Sequence, residues 1–208
     1  MPADAKPPAG VVLAAGASTR MGENKLLLRL DGEPLVARAA RRAAEAGLDP
    51  VLVVLGHDAA DVVRALEGVR CRTVINPEHA TGGQGSSFRS GIAAVPAEAP
   101  GAVVLLADMP HVTPAMIASL VERHFASGAA LVVSEYGGVH APPTLYGRAL
   151  FPEILTGRGC GRDVVRHHRG DAEVVAFSAD RLADLDEPGD VERLRASGAE
   201  ILRCAPTS

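Results

Sequence analysis

The stretch LAAGASTRMGENK (13–25) decides how this sequence is interpreted. It begins like the end of a buried strand and continues as a loop in which Gly16 and Gly22 permit close approach to the backbone. Arg20 and Lys25 add a planar guanidinium and a mobile ammonium. Backbone N–H groups of a glycine-rich loop after a strand bind anions, so the stretch indicates a phosphate site. The alternative is a flexible surface loop with two solvated cations, since neither GK[ST] nor GxGxxG is present.

Short apolar runs alternate with alanine-rich helical patterns along the rest of the chain. The runs are apolar almost throughout, which is typical of strands covered on both faces: VVLAA (11–15), VLVVL (51–55), RTVI (72–75), AVVLLA (102–107), ALVVS (130–134) and EVVAF (173–177). The segments between and after them predict helices near 34–46, 58–67, 86–94, 114–126, 148–155, 161–168 and 188–197. This alternation predicts a mostly parallel sheet flanked by helices, with ligands at the carboxyl ends of the strands.

The length of 208 residues predicts one domain. We expect a disordered leader over 1–9, the domain over 10–202 and a tail over 203–208, and no apolar run is long enough to cross a membrane.

The composition argues against nucleic-acid binding. The net charge is −4 and aromatic residues make up only 3%, so a basic surface and a stacking platform for bases are not expected. The three cysteines, Cys71, Cys160 and Cys204, are scattered and lack CxxC spacing. They favour a reducing cytoplasm over a disulfide framework or a zinc site.

The opening stretch resembles the LAAGxSxRMGxxK signature of nucleotidyltransferases, most closely that of the molybdenum cofactor cytidylyltransferases. Every fixed position of the signature is present: Leu13, Ala14, Ala15, Gly16, Ser18, Arg20, Met21, Gly22 and Lys25. The resemblance implies a single Rossmann-like three-layer α/β/α domain, similar to the nucleotide-diphospho-sugar transferases. It also implies that this loop binds a nucleoside triphosphate, with Arg20 and Lys25 on its phosphates as catalytic residues. Because relatives that transfer GMP usually read LAGG, Ala15 favours CTP.

LLADMPHVTP (105–114) places Asp108 just beyond an apolar run. A carboxylate at a strand end beside a phosphate loop is suited to Mg²⁺, which prefers a few protein oxygens together with phosphates. On its own, Asp108 is better explained as a turn or helix-capping aspartate before Pro110. The resemblance of DMPxV to the family's metal-binding segment implies that Asp108 holds the metal and is catalytic. Thr113 is expected to cap the helix that follows.

NPEHATGGQGSSFRSG (76–91) concentrates glycine and serine ahead of a predicted helix. A serine cap with a glycine hinge explains Ser86 but not five glycine and serine residues together. A site for an anion or for the edge of a base explains the whole group. The family has a comparable segment, which implies that Gly85, Ser86 and Ser87 contact the nucleotide.

Two later segments indicate the acceptor side. YGGVHAPPTLYGRALF (136–151) is predicted as a hinge-like loop that enters a short strand and a helix, and TGRGCGRDVVRHHRG (156–170) concentrates cations. The resemblance implies an acceptor-binding role for His140, although a loop histidine explains it equally. The concentration of cations in an acidic protein favours a polyanionic acceptor that Arg162 would bind, although a charge run is usually a solvated helix face. The second segment also departs from the family's GDxGAR-like pattern.

DLDEPGD (184–190) resembles the family's D[IL]DTPED segment. Asp186 is placed as a helix N-cap before Pro188, and the resemblance implies that it is a second metal residue.

Together, the motifs predict a Mg²⁺-dependent transfer of CMP from CTP to the terminal phosphate of molybdopterin, with release of pyrophosphate. The implied partners are the nucleoside triphosphate, the phosphorylated pterin acceptor and a recipient molybdoenzyme or its chaperone, and neither nucleic acid nor membrane. The alternatives are another small phosphorylated acceptor and a non-catalytic nucleotide-binding or delivery protein. A glycosyltransferase would need a DxD motif where this chain reads ADMP.

Overall fold

Strands and helices alternate along the described part of the chain. The computed structural model describes residues 5–16, 24–157, 159–182, 185, 188–196 and 200–202. The strands there are β1 (Ala9–Ala14), β2 (Arg29–Leu30), β3 (Glu33–Pro34), β4 (Val51–Leu55), β5 (Arg72–Ile75), β6 (Gly101–Leu106), β7 (Leu131–Tyr136), β8 (Val139–Gly147), β9 (Glu173–Phe177) and β10 (Ile201–Leu202). The α-helices there are α1 (Leu35–Glu45), α2 (Ala59–Ala65), α3 (Gly83–Ala93), α4 (Pro114–Ser127), α5 (Phe151–Thr156), α6 (Gly161–His167) and α7 (Pro188–Ala196).

The main sheet has the strand order β5-β4-β1-β6-β8-β7-β9. β1 pairs in parallel with both β4 and β6, so that Val12 lies opposite Val53 on one side and Leu105 on the other. β8 is antiparallel to its two neighbours, and β9 is parallel to β7. The predicted mostly parallel sheet is confirmed.

Helices cover both faces of this sheet and form a three-layer α/β/α sandwich. Because side chains alternate between the faces of a strand, Val12 and Val53 pack into the core beneath α1, α2 and α4. Their neighbours Val11 and Val54 pack into the core beneath α3, α5 and α6. Both cores are continuous, which explains why the strands are apolar almost throughout.

The segment 136–151 was expected to be a hinge-like loop that enters a short strand and a helix. The strand is present but longer than expected: it is β8, a nine-residue strand between β6 and β7. Pro142 and Pro143 are accommodated because the register with β7 shifts at this point and leaves both prolines out of the pairing. Their carbonyls accept hydrogen bonds from the side chains of Tyr136 and Ser134 instead.

A second, three-stranded sheet has the order β10-β2-β3. It packs with α7 in a small core that includes Leu30, Leu194 and Ile201. Each of its strands has only two residues, which is too short for a recognisable apolar pattern.

Several local features agree with the sequence. Thr113 caps α4 by accepting a hydrogen bond from the Met116 N–H, and Gly128 ends that helix in a left-handed conformation with φ of 73°. Cys71 and Cys160 are free thiols, while Cys204 lies outside the described residues. None of the helices in the described ranges is long and apolar enough to cross a membrane.

Candidate active site

Two predicted site residues meet at the carboxyl edge of the main sheet. The ammonium of Lys25 lies 2.6 Å from the Asp108 carboxylate, and the two side chains are only 13% and 16% exposed. Lys25 begins a short 3-10 turn whose N-cap is Asn24, and the Asn24 side chain accepts a hydrogen bond from the Leu26 N–H at 3.1 Å. The structure thus brings together one residue from each of the two strongest motifs.

The loop after β6 is held from two sides. On one side, the N–H of Ala107 donates to the Leu13 carbonyl at 3.2 Å and joins the loop to the end of β1. On the other side, one guanidinium nitrogen of Arg42 lies 2.6 Å from the Pro110 carbonyl and 2.5 Å from the Val112 carbonyl. These contacts fix the backbone on both sides of Asp108.

Part of the predicted phosphate loop can be located. Leu13 and Ala14 end β1, Ala15 is buried directly after it, and Gly16 is exposed at the carboxyl edge. The predicted residues Ser18, Arg20, Gly22 and Asp186 lie outside the described residues, as does Arg158.

The segment that follows β5 is organised by Asn76, which is 1% exposed. Its amide nitrogen donates to the hydroxyl oxygens of Ser86 at 2.8 Å and Ser87 at 3.0 Å. Its amide oxygen accepts from the backbone N–H of Glu78 at 3.0 Å. Asn76 therefore holds the glycine- and serine-rich segment beneath the carboxyl edge of the sheet.

The start of α3 differs from the prediction. The helix begins at Gly83 instead of near residue 86, and its N-cap is Gly82, so Ser86 is not the cap. The Ser86 hydroxyl donates to the Gly83 carbonyl at 2.9 Å, inside the first turn. Gly85 lies against the segment before α6, since a Cβ there would be 2.8 Å from the Gly159 carbonyl oxygen.

A cleft of about 180 Å³ lies beside the Asp108 loop, between β8, α3 and α6. Leu13, Leu106 and Met109 contribute apolar surface to it. The two predicted acceptor residues, His140 and Arg162, both line this cleft. The structure thus brings them together, although they come from separate segments of the chain.

Burial controls the ionisation of two groups near this edge. It raises the pKa of Tyr146 well above the ordinary range, and the hydroxyl donates to the Gly161 carbonyl at 3.2 Å at the start of α6. Desolvation by burial lowers the pKa of His111, and Arg181 and Arg42 lower it further. Tyr146 therefore remains a neutral donor and His111 favours the neutral imidazole.

Neither Asn76 nor Arg42 was predicted from the sequence as a site residue. For Asn76, a signal was present: an Asn-Pro pair directly after an apolar run is typical of an Asx turn, in which the side chain accepts a hydrogen bond from two residues ahead. For Arg42, no local signal exists, because its partners are 68 and 70 residues away in the sequence.

Comparisons with known proteins place the chain in a family. The model of the MobA-like NTP transferase domain matches residues 10–174. The purine catabolism protein PucB of Bacillus subtilis is 33% identical over 89% of this chain and 95% of its own length. The probable molybdenum cofactor guanylyltransferase of Opitutus terrae is 36% identical over 70% of this chain and 69% of its own length.

Longer proteins and solved structures match as well. The chain spans only 30% of the length of the bifunctional protein GlmU of Kineococcus radiotolerans, to which it is 36% identical. The crystal structure of Rv0371C of Mycobacterium tuberculosis in complex with manganese superimposes with a TM-score of 0.77 at 26% identity. That comparison covers 92% of this chain and 99% of the other.

Proposed function

The chain belongs to the MobA-like NTP transferase family and is a nucleotidyltransferase. On that premise, we propose that it transfers CMP from CTP to the terminal phosphate of molybdenum-bearing molybdopterin. The observation that carries the proposal is the contact between Lys25 and Asp108 at the carboxyl edge of the sheet. An ammonium for phosphates and a carboxylate for a divalent ion are the two kinds of group that such a transfer needs.

The acceptor's phosphate supplies the nucleophile. One of its charged oxygens attacks the α-phosphorus of CTP, a new P–O bond forms, and the bond to the β-phosphate oxygen breaks. The electron pair leaves with pyrophosphate. Since the attacking phosphate is ionised near neutral pH, no side chain has to remove a proton. Lys25 and Arg20 then act by holding the phosphates in line and offsetting their charge.

The residues at the site fit a divalent ion. Asp108 offers hard carboxylate oxygens that are partly shielded from solvent, which suits Mg²⁺. Leu185 donates its N–H to the Asp108 carbonyl at 3.2 Å, and Asp186 is the next residue in the chain, so we retain Asp186 as the second metal residue. When bound, Mg²⁺ would offset charge on the transferring and leaving phosphates. A manganese complex among the structural relatives supports a divalent ion of this kind.

The donor assignment rests on the first loop. Ala15 stands where guanylyl-transferring relatives usually carry glycine, and this favours CTP. Gly16, Ser18 and Gly22 complete the proposed phosphate loop. Gly85, with Ser86 and Ser87 held in place by Asn76, is proposed to face the base and ribose.

The acceptor assignment rests on the cleft beside Asp108. Its apolar surface suits a flat heterocycle, while His140 and Arg162 offer polar and cationic groups for phosphate or ring oxygens. One relative is named a probable molybdenum cofactor guanylyltransferase, and this name supports a pterin acceptor.

One comparison favours a second acceptor. The relative that matches over 95% of its own length is named for purine catabolism and not for cofactor synthesis. Another small phosphorylated acceptor in the same cleft is therefore the second candidate function.

A nucleotide panel tests both parts of the proposal. Thermal unfolding with CTP, GTP, ATP or UTP and Mg²⁺ should give the largest stabilisation with CTP. Pyrophosphate release should then require CTP together with molybdopterin. Equal or better use of GTP would refute the donor, while turnover only with a different phosphomonoester would replace the acceptor. Tight CTP binding without turnover on any acceptor would favour a delivery protein.

A further inference from the structure

Three potential metal ligands meet at the C-terminal end of α6. The Glu153 carboxylate lies 2.7 Å from the His168 Nε2 and 3.5 Å from the His167 Nδ1. One ligand atom from each of the three side chains can be chosen so that all lie within 4.8 Å of one another. In the sequence the two histidines belong to the basic segment 156–170, and no local pattern connects them to Glu153.

The local fold creates this cluster. Glu153 lies in the first turn of α5, whereas His167 ends α6 and His168 is its C-cap. The carbonyl end of a helix favours positive charge, so a cation is well placed there. The two imidazole rings are stacked, with centroids 4.8 Å apart and an angle of 14° between their planes.

We propose that Glu153, His167 and His168 bind one divalent transition-metal ion of the zinc type, at a site separate from Asp108. Two imidazole nitrogens and one carboxylate oxygen form a ligand set that suits Zn²⁺ and disfavours Mg²⁺, which prefers oxygen ligands alone. Water completes the coordination.

Only small side-chain movements are needed. Ligand atoms about 2.0–2.2 Å from a tetrahedral zinc ion lie roughly 3.3–3.6 Å from one another. The 3.5 Å between the Glu153 carboxylate and the His167 Nδ1 is already in that range, whereas the 2.7 Å contact to the His168 Nε2 has to lengthen. The His167 side chain is 73% exposed. Burial therefore does not oppose closure of the site.

An ion pair alone explains less of the arrangement. One close partner satisfies a carboxylate, and His168 at 2.7 Å is such a partner of Glu153. That contact does not account for the His167 Nδ1, which lies 3.5 Å from the same carboxylate. Two imidazole nitrogens and a carboxylate oxygen that converge in this way are an arrangement that a metal ion can complete.

The ion would link α5 to the end of α6. The same short helix carries Gly161, Arg162 and Val165, which line the cleft. Metal binding would therefore stiffen one wall of the cleft. The inference does not depend on the proposed function, because it is tested by binding alone.

A competition titration tests the site. Untagged full-length protein is titrated with Zn²⁺ against a chromophoric chelator, with Mg²⁺ in excess. We expect one Zn²⁺ per chain with a Kd at or below about 10 µM. Glu153→Gln, His167→Ala and His168→Ala should each weaken binding by about 10-fold or more. Zn²⁺ should also raise the Tm of the wild type and not that of the variants.

Two control variants separate this site from other sites. His57→Ala removes a histidine that lies 3.4 Å from the Asp58 carboxylate and outside the cluster, and should leave zinc affinity unchanged. Asp108→Asn should also leave it unchanged. The inference is overturned if no stoichiometric binding is found, if the three ligand variants bind as the wild type does, or if the Asp108 variant alone loses the ion. Circular dichroism of the zinc-free variants verifies that they are folded.

Discussion

The ammonium of Lys25 and the carboxylate of Asp108 form a 2.6 Å ion pair in which both side chains are largely shielded from water. Shielding strengthens the attraction relative to an exposed pair, because the effective dielectric constant is lower. It also means that a divalent ion and the ammonium compete for the same carboxylate. If the proposed function is correct, the Lys25 ammonium therefore leaves Asp108 and pairs with the phosphates when the nucleotide and the metal bind.

Asp108→Asn should abolish turnover and leave the fold intact. The amide keeps the shape of the side chain but loses the negative charge that would hold the metal, so we expect kcat/KM to fall by roughly 10²-fold or more. Pyrophosphate release measures this, and circular dichroism verifies the fold. Asp61→Asn is the control, because Asp61 is 42% exposed and pairs with Arg64 on the surface of α2. Retained activity in the Asp108 variant would remove the metal role.

Lys25→Met should change two affinities in opposite directions. Without the ammonium, no neighbouring cation competes for the Asp108 carboxylate, and the electrostatic potential at the site is more negative. Mn²⁺ should therefore bind several-fold more tightly to the nucleotide-free protein. CTP should bind about 10- to 100-fold more weakly, because a charge-assisted contact to its phosphates is lost. Paramagnetic resonance of Mn²⁺ and calorimetry of CTP measure the two effects. Lys6→Met is the control, since Lys6 is the other lysine of the chain and is exposed. Weaker Mn²⁺ binding in the Lys25 variant would contradict the competition.

The fold was predictable where burial imposes a pattern over several residues. A strand covered on both faces, such as Val51–Leu55, has to be apolar throughout, and the helices between strands show their own periodicity. The length of β8 was underestimated: Pro142 and Pro143 argue against a long central strand, and only the shifted register makes them compatible with one.

The candidate site was predictable where local sequence alone carries the chemistry. Asp108 follows a strand and therefore had to lie at the carboxyl edge, next to the first loop. The contacts of Arg42 were not predictable, because its two carbonyl partners come from a distant segment. In the sequence, Arg42 cannot be distinguished from the other arginines of the same amphipathic helix.

Arg42→Met should slow turnover by loosening the Asp108 loop. Arg42 is a positioning residue, because it contacts the carbonyls of Pro110 and Val112. Their loss should cost about 1–3 kcal/mol of stability and lower kcat more than it raises KM for CTP. Hydrogen exchange in 107–112 should become faster. Arg41→Met is the control, because Arg41 is 52% exposed and pairs with Glu33. Unchanged exchange in the Arg42 variant would contradict the role.

Asn76→Ala should weaken both the fold and nucleotide binding. The substitution leaves the buried hydroxyls of Ser86 and Ser87 without their shared donor, which should cost about 1–3 kcal/mol. Urea unfolding measures the loss, and calorimetry should show weaker CTP binding. Ser90→Ala removes only a 3.4 Å contact to the Asn76 side chain and should have a small effect. Equal effects of the two substitutions would show that Asn76 does not organise this segment.

Gly91→Ala should destabilise the protein although alanine is the better helix former. In an exposed helix the change gains up to about 1 kcal/mol. Gly91, however, faces β1 and β4, where a Cβ would overlap the Val11 side chain and lie 3.0 Å from a Val54 methyl. Because α3 packs closely against β1 and β4 at that point, we expect the free energy of unfolding, measured with urea, to fall by about 1–3 kcal/mol. Gly170→Ala is the matched control, because a Cβ there has no atom within 4 Å and its effect should stay within about 0.5 kcal/mol. A stabilised Gly91 variant would mean that α3 can move away from the sheet, and the nearby segment held by Asn76 would then be less rigid than its hydrogen bonds imply.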